Sequence, residues 1–210
     1  MVADGTEIKN ATGATYNVGA TDAGKAITVK VTGTKAGYTS ASKTSTAVSV
    51  AGGSTALAVS RLAGSSRYAT NDAVNARFGV KGGPVFVATG VDFADALSIG
   101  PVVGITGGTL FLVPGSSVSQ GTLNAMKALS PSAVYIVGGK GAVSEAVASK
   151  VKSATGKIPV RVAGKSRYQT SEEIYKKFFV ETPRAVSTAF VATGRDFPDA
   201  LSAASAGAAL

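Results

Sequence analysis

Apolar and polar residues alternate at every second position in the first quarter of the chain. The alternation is clearest at residues 26–32 (Ala-Ile-Thr-Val-Lys-Val-Thr) and 44–50 (Thr-Ser-Thr-Ala-Val-Ser-Val). Successive side chains of a strand point to opposite faces, so a period of two rich in Thr and Val predicts antiparallel strands. Glycine-containing segments at 22–25 and 37–40 predict turns between them. We therefore expect an all-β segment over residues 1–50.

A different pattern begins at residue 56, after a short linker predicted at residues 51–55. Short apolar runs now alternate with longer segments of helical pattern. Strands are predicted at 84–88, 109–113, 133–137, 158–162 and 187–191, and helices near 68–78, 94–105, 119–129, 142–153, 168–180 and 198–209. Apolar strands separated by helices predict a mostly parallel sheet covered on both faces. The expected fold class is three-layer α/β in tandem repeats, with the short all-β segment before it.

An internal repeat divides this second part. Residues 61–70 return at 161–170 with seven of ten positions identical, and residues 87–98 return at 191–202 with ten of twelve identical. Two matches in the same order indicate a duplicated module. We expect a first repeat at residues 56–160 and a second repeat at residues 161–210. The second repeat is expected to be truncated, because it contains no counterpart of residues 109–160.

Both ends of the sequence suggest interrupted domains. A β-sandwich needs about seven strands, so Met1 is expected to start inside a domain. The Ala-rich helix predicted near the end needs apolar cover on more than one side. We expect that cover to come from a third repeat in a longer protein.

Composition narrows the function. The chain has 21 Lys plus Arg against 12 Asp plus Glu, and residues 61–210 carry a net charge of +7 of the total +9. Such a surface attracts polyanions. Cysteine and histidine are absent, which excludes disulfides, Cys or His metal sites and Ser-His-Asp triads. We expect no cofactor, no metal, no membrane span and, because only Lys176 and Lys177 form a basic pair, no nucleic acid partner.

Three ordered motifs in residues 61–210 resemble the type 2 cell-wall-binding repeat of Gram-positive surface proteins. They are Arg-x-Ala-Gly-x-Ser-Arg-Tyr-x-Thr, then Ala-Thr-Gly-x-Asp-Phe-x-Asp-Ala-Leu-Ser, then Tyr-Ile-Val-Gly-Gly at 135–139. The resemblance implies α/β modules that pack in threes and hold a secreted protein noncovalently on an anionic cell-wall polysaccharide or teichoic-type polymer. The β segment is similar to the last strands of a bacterial immunoglobulin-like module.

Six side chains are the candidate ligand contacts: Arg67, Tyr68, Lys140, Arg167, Tyr168 and Arg195. Each Arg-Tyr pair has two readings. The arginine pairs with a nearby carboxylate such as Asp92 or Asp196 while the tyrosine packs in the core, or the pair binds an acidic group and a sugar face.

Two further motifs stay open between packing and chemistry. The stretch 138–141 (Gly-Gly-Lys-Gly) either packs a strand against a helix or cradles an anion. The Asp pairs at 92/95 and 196/199 either cap helices, with the first Asp as N-cap, or form an acid/base or Mg²⁺ site. The preferred interpretation is wall anchoring without enzymatic activity. The alternative is an α/β enzyme, or an accessory module of a wall amidase whose catalysis lies outside this chain.

Overall fold

The computed structural model describes residues 1–52, 60–182 and 188–208. The chain forms two compact units, Met1–Ser60 and Arg61–Leu210. Positions 53–55 of the predicted linker, and the predicted start of the first repeat at residue 56, lie outside the described residues.

Unit one is built from short antiparallel strands, as its alternation predicts. They are β1 (Val2–Ala3), β2 (Thr6–Glu7), β3 (Ala26–Thr28), β4 (Lys30–Gly33), β5 (Ala41–Thr44) and β6 (Val48–Ser49). The strands form a sheet of order β2-β1-β3-β6 and a separate β4-β5 pair. The two-residue strands β1 and β2 are too short to leave a periodic pattern.

The alternating run at residues 26–32 is divided between two strands, because the chain changes partner at Val29. The Val29 amide donates to the Ser45 hydroxyl at 3.0 Å, and the Val29 carbonyl accepts from the Ser45 amide at 2.9 Å. These bonds replace the ladder of the first sheet at this point. Strand β3 therefore pairs with β1 and β6, whereas β4 pairs with β5.

Unit two alternates helices and parallel strands. In chain order it contains α1 (Arg67–Phe78), β7 (Val85–Thr89), α2 (Ala94–Ile105), β8 (Thr109–Val113), α3 (Gln120–Ala128), β9 (Val134–Val137), α4 (Glu145–Thr155), β10 (Val160–Val162), α5 (Arg167–Tyr175), a π-helical turn (Lys176–Val180) and α6 (Pro198–Gly207). Four helices begin at a serine whose hydroxyl accepts an amide three residues on: Ser66, Ser119, Ser144 and Ser166. Such caps satisfy amides that the first turn leaves free.

The parallel sheet has the order β8-β7-β9-β10. Alternate residues of β7 enter two different hydrophobic clusters. Val85 and Val87 pack with residues of α3 and α4, whereas Phe86 and Ala88 pack with residues of α2 and α5. A mixed α/β fold with a parallel sheet is therefore confirmed.

The outer edge of β8 is covered by α1. The Asn71 side chain donates to the Leu110 carbonyl at 3.0 Å and accepts from the Leu112 amide at 2.9 Å. It thus takes the hydrogen bonds that a further strand would make. An edge satisfied in this way is not a template for pairing with another chain.

The strand expected at 187–191 is wrong over residues 188–191, and Ser187 lies outside the described residues. Phe190 and Val191 are 50% and 98% exposed, whereas their repeat equivalents Phe86 and Val87 are fully buried. Strand β7 is hydrogen-bonded between β8 and β9, and the second copy contains no sequence equivalent to residues 109–160, which include β8 and β9. The same local sequence therefore forms a strand in one copy only.

Candidate functional site

A cleft of about 590 Å³ lies at the carboxyl ends of the parallel strands. Between β7 and β9 the strand order reverses, because β8 lies on the other side of β7. Ligands of open α/β sheets bind in the crevice outside the carboxyl ends at such a switch point. The polar lining comes from four loops and includes Asp92, Asp95, Ser116, Gly139, Lys165 and Arg167. We take this cleft as the candidate site.

Arg167, in the second copy, binds across to the first copy. Its Nη2 lies 2.9 Å from Oδ2 of Asp92, and its Nη1 donates to the Gly194 carbonyl at 2.8 Å. The guanidinium carbon also lies 5.3 Å from the centre of the Phe93 ring. These contacts use two of the five N–H donors of Arg167, and they form the pairing with Asp92 that one of the two sequence interpretations expected.

Asp92 precedes the N-cap of α2, so the N-cap role that the sequence predicted for Asp92 is wrong. The N-cap residue is Phe93, whose amide donates to Oδ1 of Asp92 at 2.7 Å. The second copy repeats this arrangement with Asp196 and Phe197 at 2.8 Å. The shift by one residue leaves the other oxygen of Asp92 free to bind Arg167.

The environment of the cleft perturbs the pKa of Asp95. Burial raises its pKa above the usual range, the neighbouring Asp92 carboxylate adds to that rise, and Arg167 opposes it. No hydrogen bond from any other described residue reaches the Asp95 carboxylate. The sequence suggested that Asp95 caps its own helix, but its carboxylate makes no such bond.

The two Arg-Tyr pairs hold equivalent positions in the two copies. Arg67 donates to the Gly90 carbonyl at 2.6 Å, as Arg167 does to Gly194. A Cβ atom at Gly90 would lie 2.6 Å from the ring of Tyr68. Each pair therefore links the start of its helix to the equivalent glycine of its own copy, Gly90 or Gly194.

Tyr168 repeats the Tyr68 contact against Gly194 and is 56% exposed. It also lines a second cavity of about 660 Å³ between α2, α5, α6 and residues 188–194. Aromatic and small apolar side chains dominate that cavity. Its chemistry suits protein packing better than a charged polymer.

The other two predicted contacts, Lys140 and Arg195, are exposed. Lys140 is 3.6 Å from Glu145, in a largely exposed ion pair. Arg195 is exposed, and its backbone amide donates to the Thr193 hydroxyl at 3.2 Å. Of the six predicted residues, Arg167 alone lines the cleft among the side chains that the structure describes.

Three residues that line or support the cleft were not among the ligand contacts predicted from the sequence. Asp95 was considered only as a cap or an acid, and Lys165 lies inside a recognised motif but at a position where the two copies differ. Arg161 donates to the Gly138 carbonyl at 2.9 Å and lies 3.2 Å from Glu145, which fixes the loop after β9. Its signal was present, because Arg161 opens the repeated motif.

Neither a three-residue metal site nor a membrane-spanning helix is found in the described part of the chain. Over residues 1–52, 60–182 and 188–208, no three acidic side chains are grouped so that they could hold a metal ion. No helix among those residues is long and apolar enough to cross a bilayer.

A family model described as cell wall binding domain 2 matches residues 61–148 and 161–210. The N-acetylmuramoyl-L-alanine amidase LytC of Bacillus subtilis is 29% identical over 148 residues, which are 70% of this chain and 28% of the amidase. The solved structure of Cwp8 from Clostridium difficile has a TM-score of 0.60 at 24% identity, over 72% of this chain and 25% of Cwp8. Cwp6 from the same organism has a TM-score of 0.51 at 25% identity, over 61% of this chain and 23% of Cwp6. The chain thus spans less than a third of each of these relatives.

Proposed function

The chain belongs to the cell wall binding domain 2 family, and from that membership we propose that residues 61–210 hold a longer secreted protein noncovalently on an anionic cell-wall polymer. Cell-wall binding is the role of the family, and the match to both copies is the observation that carries it. The acidic nature of the polymer is supported by the net charge of +7 over residues 61–210. A polysaccharide or a teichoic-type polymer would satisfy this charge.

Binding through several weak contacts fits the exposure of the basic residues. Lys140 and Arg195 are both exposed. Each exposed ionic contact contributes about 1 kcal/mol or less. Several contacts along one polymer raise avidity by roughly 10² to 10⁴. Tyr68 and Tyr168 remain proposed sugar contacts beside these cations.

A third repeat is the proposed neighbour, and the asymmetry of the contact between copies supports it. The second copy's Arg167 binds the first copy's Asp92, but in the described residues Arg67 does not pair with Asp196 in return. A two-fold contact would form both pairs, so this one is head-to-tail, and head-to-tail contacts close into rings when the rotation permits. Arg67 and Asp196 would then bind the matching residues of the third repeat.

The exposed apolar surface of the second copy supports the same neighbour. Val191 is 98% exposed and Leu201 is 50% exposed, beside the aromatic cavity. Exposed apolar patches of this kind mark association sites. We also propose that the repeats at 56–160 and 161–210 are three-layer α/β modules arranged in tandem.

The remaining parts are assigned by the same reasoning. Residues 1–50 are proposed as part of an immunoglobulin-like module and 51–55 as the linker to the repeats. We propose no enzymatic activity for this chain, because its family is a binding domain and because it matches only 28% of the amidase.

A salt series on purified Gram-positive cell walls tests the role of charge. The screening length falls from about 10 Å at 0.1 M salt to about 3 Å at 1 M, so an ionic contact should release the chain as salt rises. Changing Lys140 and Arg195 to Ser should lower the salt needed for release, whereas changing the equally basic Lys25 and Lys43 of unit one should not. Retention unaffected by salt and by both pairs of changes would show that neutral sugar recognition holds the chain.

A further inference from the structure

Asp95 occupies the crevice between the ends of β7 and β9. A side chain at Gly138, the residue after β9, would collide with the Asp95 carboxylate, so only glycine leaves room for it. Gly138 also has a φ of 101°, which side-chain-bearing residues rarely adopt. The loop after β9 is therefore shaped around the Asp95 carboxylate, at the point of the sheet where ligands bind.

The other polar groups of the cleft are largely committed to the fold. The Ser166 hydroxyl caps α5, the Thr170 hydroxyl accepts from the Gly164 amide at 3.2 Å, and the Thr89 hydroxyl accepts from the Val91 amide at 3.1 Å. Arg167 is held by Asp92 and Gly194. The Asp95 carboxylate, like the Ser116 hydroxyl, is thus an acceptor that the described part of the fold does not use.

Lys165 provides the opposite charge in the same cleft. Its backbone amide donates to the Gln169 side chain at 2.8 Å. Its ammonium group makes no ion pair with the carboxylates that the structure describes, and the residue is exposed. The cleft therefore offers a half-buried acceptor and a free cation, and it joins strand ends of the first copy to the opening motif of the second.

We propose that this cleft binds one hydroxyl-bearing unit of an anionic wall polymer, with a ligand hydroxyl donating to Asp95 and the acidic group of the ligand lying against Lys165. The inference rests on the proposed function and names the ligand class of the same module. A carboxylate that loses water on burial gains from a donor supplied by the ligand. A phosphodiester polymer and a polymer of acidic sugars both carry this pair of groups.

The test measures co-sedimentation of the 210-residue chain with purified Gram-positive cell walls. The variants are Asp95→Asn, which keeps the shape but replaces one acceptor oxygen by a donor, and Lys165→Gln. The matched control is Asp199→Asn, since Asp199 holds the same position in the repeated motif but is exposed and lines neither cavity. Circular dichroism of each variant establishes that it is folded.

We expect Asp95→Asn to weaken wall binding about tenfold or more, the effect of losing a hydrogen bond to a charged group. Lys165→Gln should weaken binding at low salt and lose that effect at 1 M salt, whereas Asp199→Asn should leave binding unchanged. Walls treated with hydrofluoric acid, which removes phosphodiester polymers, distinguish the sources: lost binding indicates a phosphodiester, and retained binding indicates acidic sugars.

Two results would overturn the inference in distinguishable ways. If the parent chain binds walls and folded Asp95→Asn binds them equally well, the cleft is not the ligand site although the proposed function stands. If the parent chain does not bind any wall preparation, the proposed function fails together with the inference.

Discussion

The close packing of α6 on α2 predicts the effect of one added methyl group. A Cβ atom at Gly104 of α2 would lie 2.6 Å from the Cβ and 2.9 Å from the Cα of Ala208, next to the end of α6. Carbon atoms pack best at about 3.5–4.0 Å, so Gly104→Ala would push α6 away by about 1 Å. A Cβ atom at the neighbouring Gly100 would lie 3.3 Å from the Cβ of Ala204, so the helices are closely packed there too.

Two opposing effects set the size of the change. Overpacking costs about 1–3 kcal/mol, whereas replacing glycine by alanine within a helix gains about 1 kcal/mol. The expected net result is about 1 kcal/mol of weaker α6 docking, which corresponds to about fivefold faster amide exchange in α6. Hydrogen exchange read by mass spectrometry over Pro198–Gly207 measures this, with the α4 peptide as internal reference.

The control is Gly121→Ala in α3, where a Cβ atom would meet nothing closer than the Ser119 hydroxyl at 3.6 Å. This variant gains helix propensity without a clash, so exchange in α3 should slow or stay the same. Unchanged or slower exchange of α6 in Gly104→Ala would refute the close contact between the two helices.

Three further predictions concern single side chains. Asn71→Ala removes the acceptor of the Leu112 amide, while Asn75 still donates to the Leu110 carbonyl at 2.9 Å. The variant should cost about 1–3 kcal/mol in urea unfolding of unit two, and a loss below about 0.5 kcal/mol would contradict the role of Asn71. Ser144→Ala removes the cap of α4 and should cost about 1 kcal/mol, with Ser149→Ala on the exposed side of the same helix as the near-neutral control. Folding raises the pKa of Asp95, so its ionised carboxylate destabilises the fold at pH values above the folded pKa. Below the unfolded pKa of about 3.9 the group is protonated in both states and this cost is absent. Asp95→Asn should therefore raise the unfolding temperature at pH 7 but not at pH 3. An equal shift at both pH values would refute the cause.

Sequence pattern predicted the first copy well because its local and tertiary preferences agree. The strand at 109–113 is as predicted, since an apolar run stands between Gly108 and Pro114. Helix α2 also has the predicted bounds, although Pro101 lies inside it. The strand predicted at 188–191 failed because pairing depends on neighbours, and the equivalent Phe86-Val87 of β7 has them.

The candidate site was harder to predict than the fold. The repeated Arg-Tyr pairs drew attention because they recur, yet Arg67 and Arg167 recur as ties to the glycine carbonyls of each copy. Asp95 and Lys165 are 70 positions apart in the sequence and share the cleft only through the strand order. Periodicity and motif spacing carry no information on that order.

The most direct test of wall binding is the dissociation constant of the 210-residue chain on purified Gram-positive walls, measured by co-sedimentation before and after the anionic polymers are removed. The account predicts saturable binding to intact walls in 0.1 M salt and at least tenfold weaker binding once every acidic polymer is stripped. Equal binding to intact and stripped walls would contradict an anionic ligand, and the absence of saturable binding to either preparation would contradict the anchoring function itself.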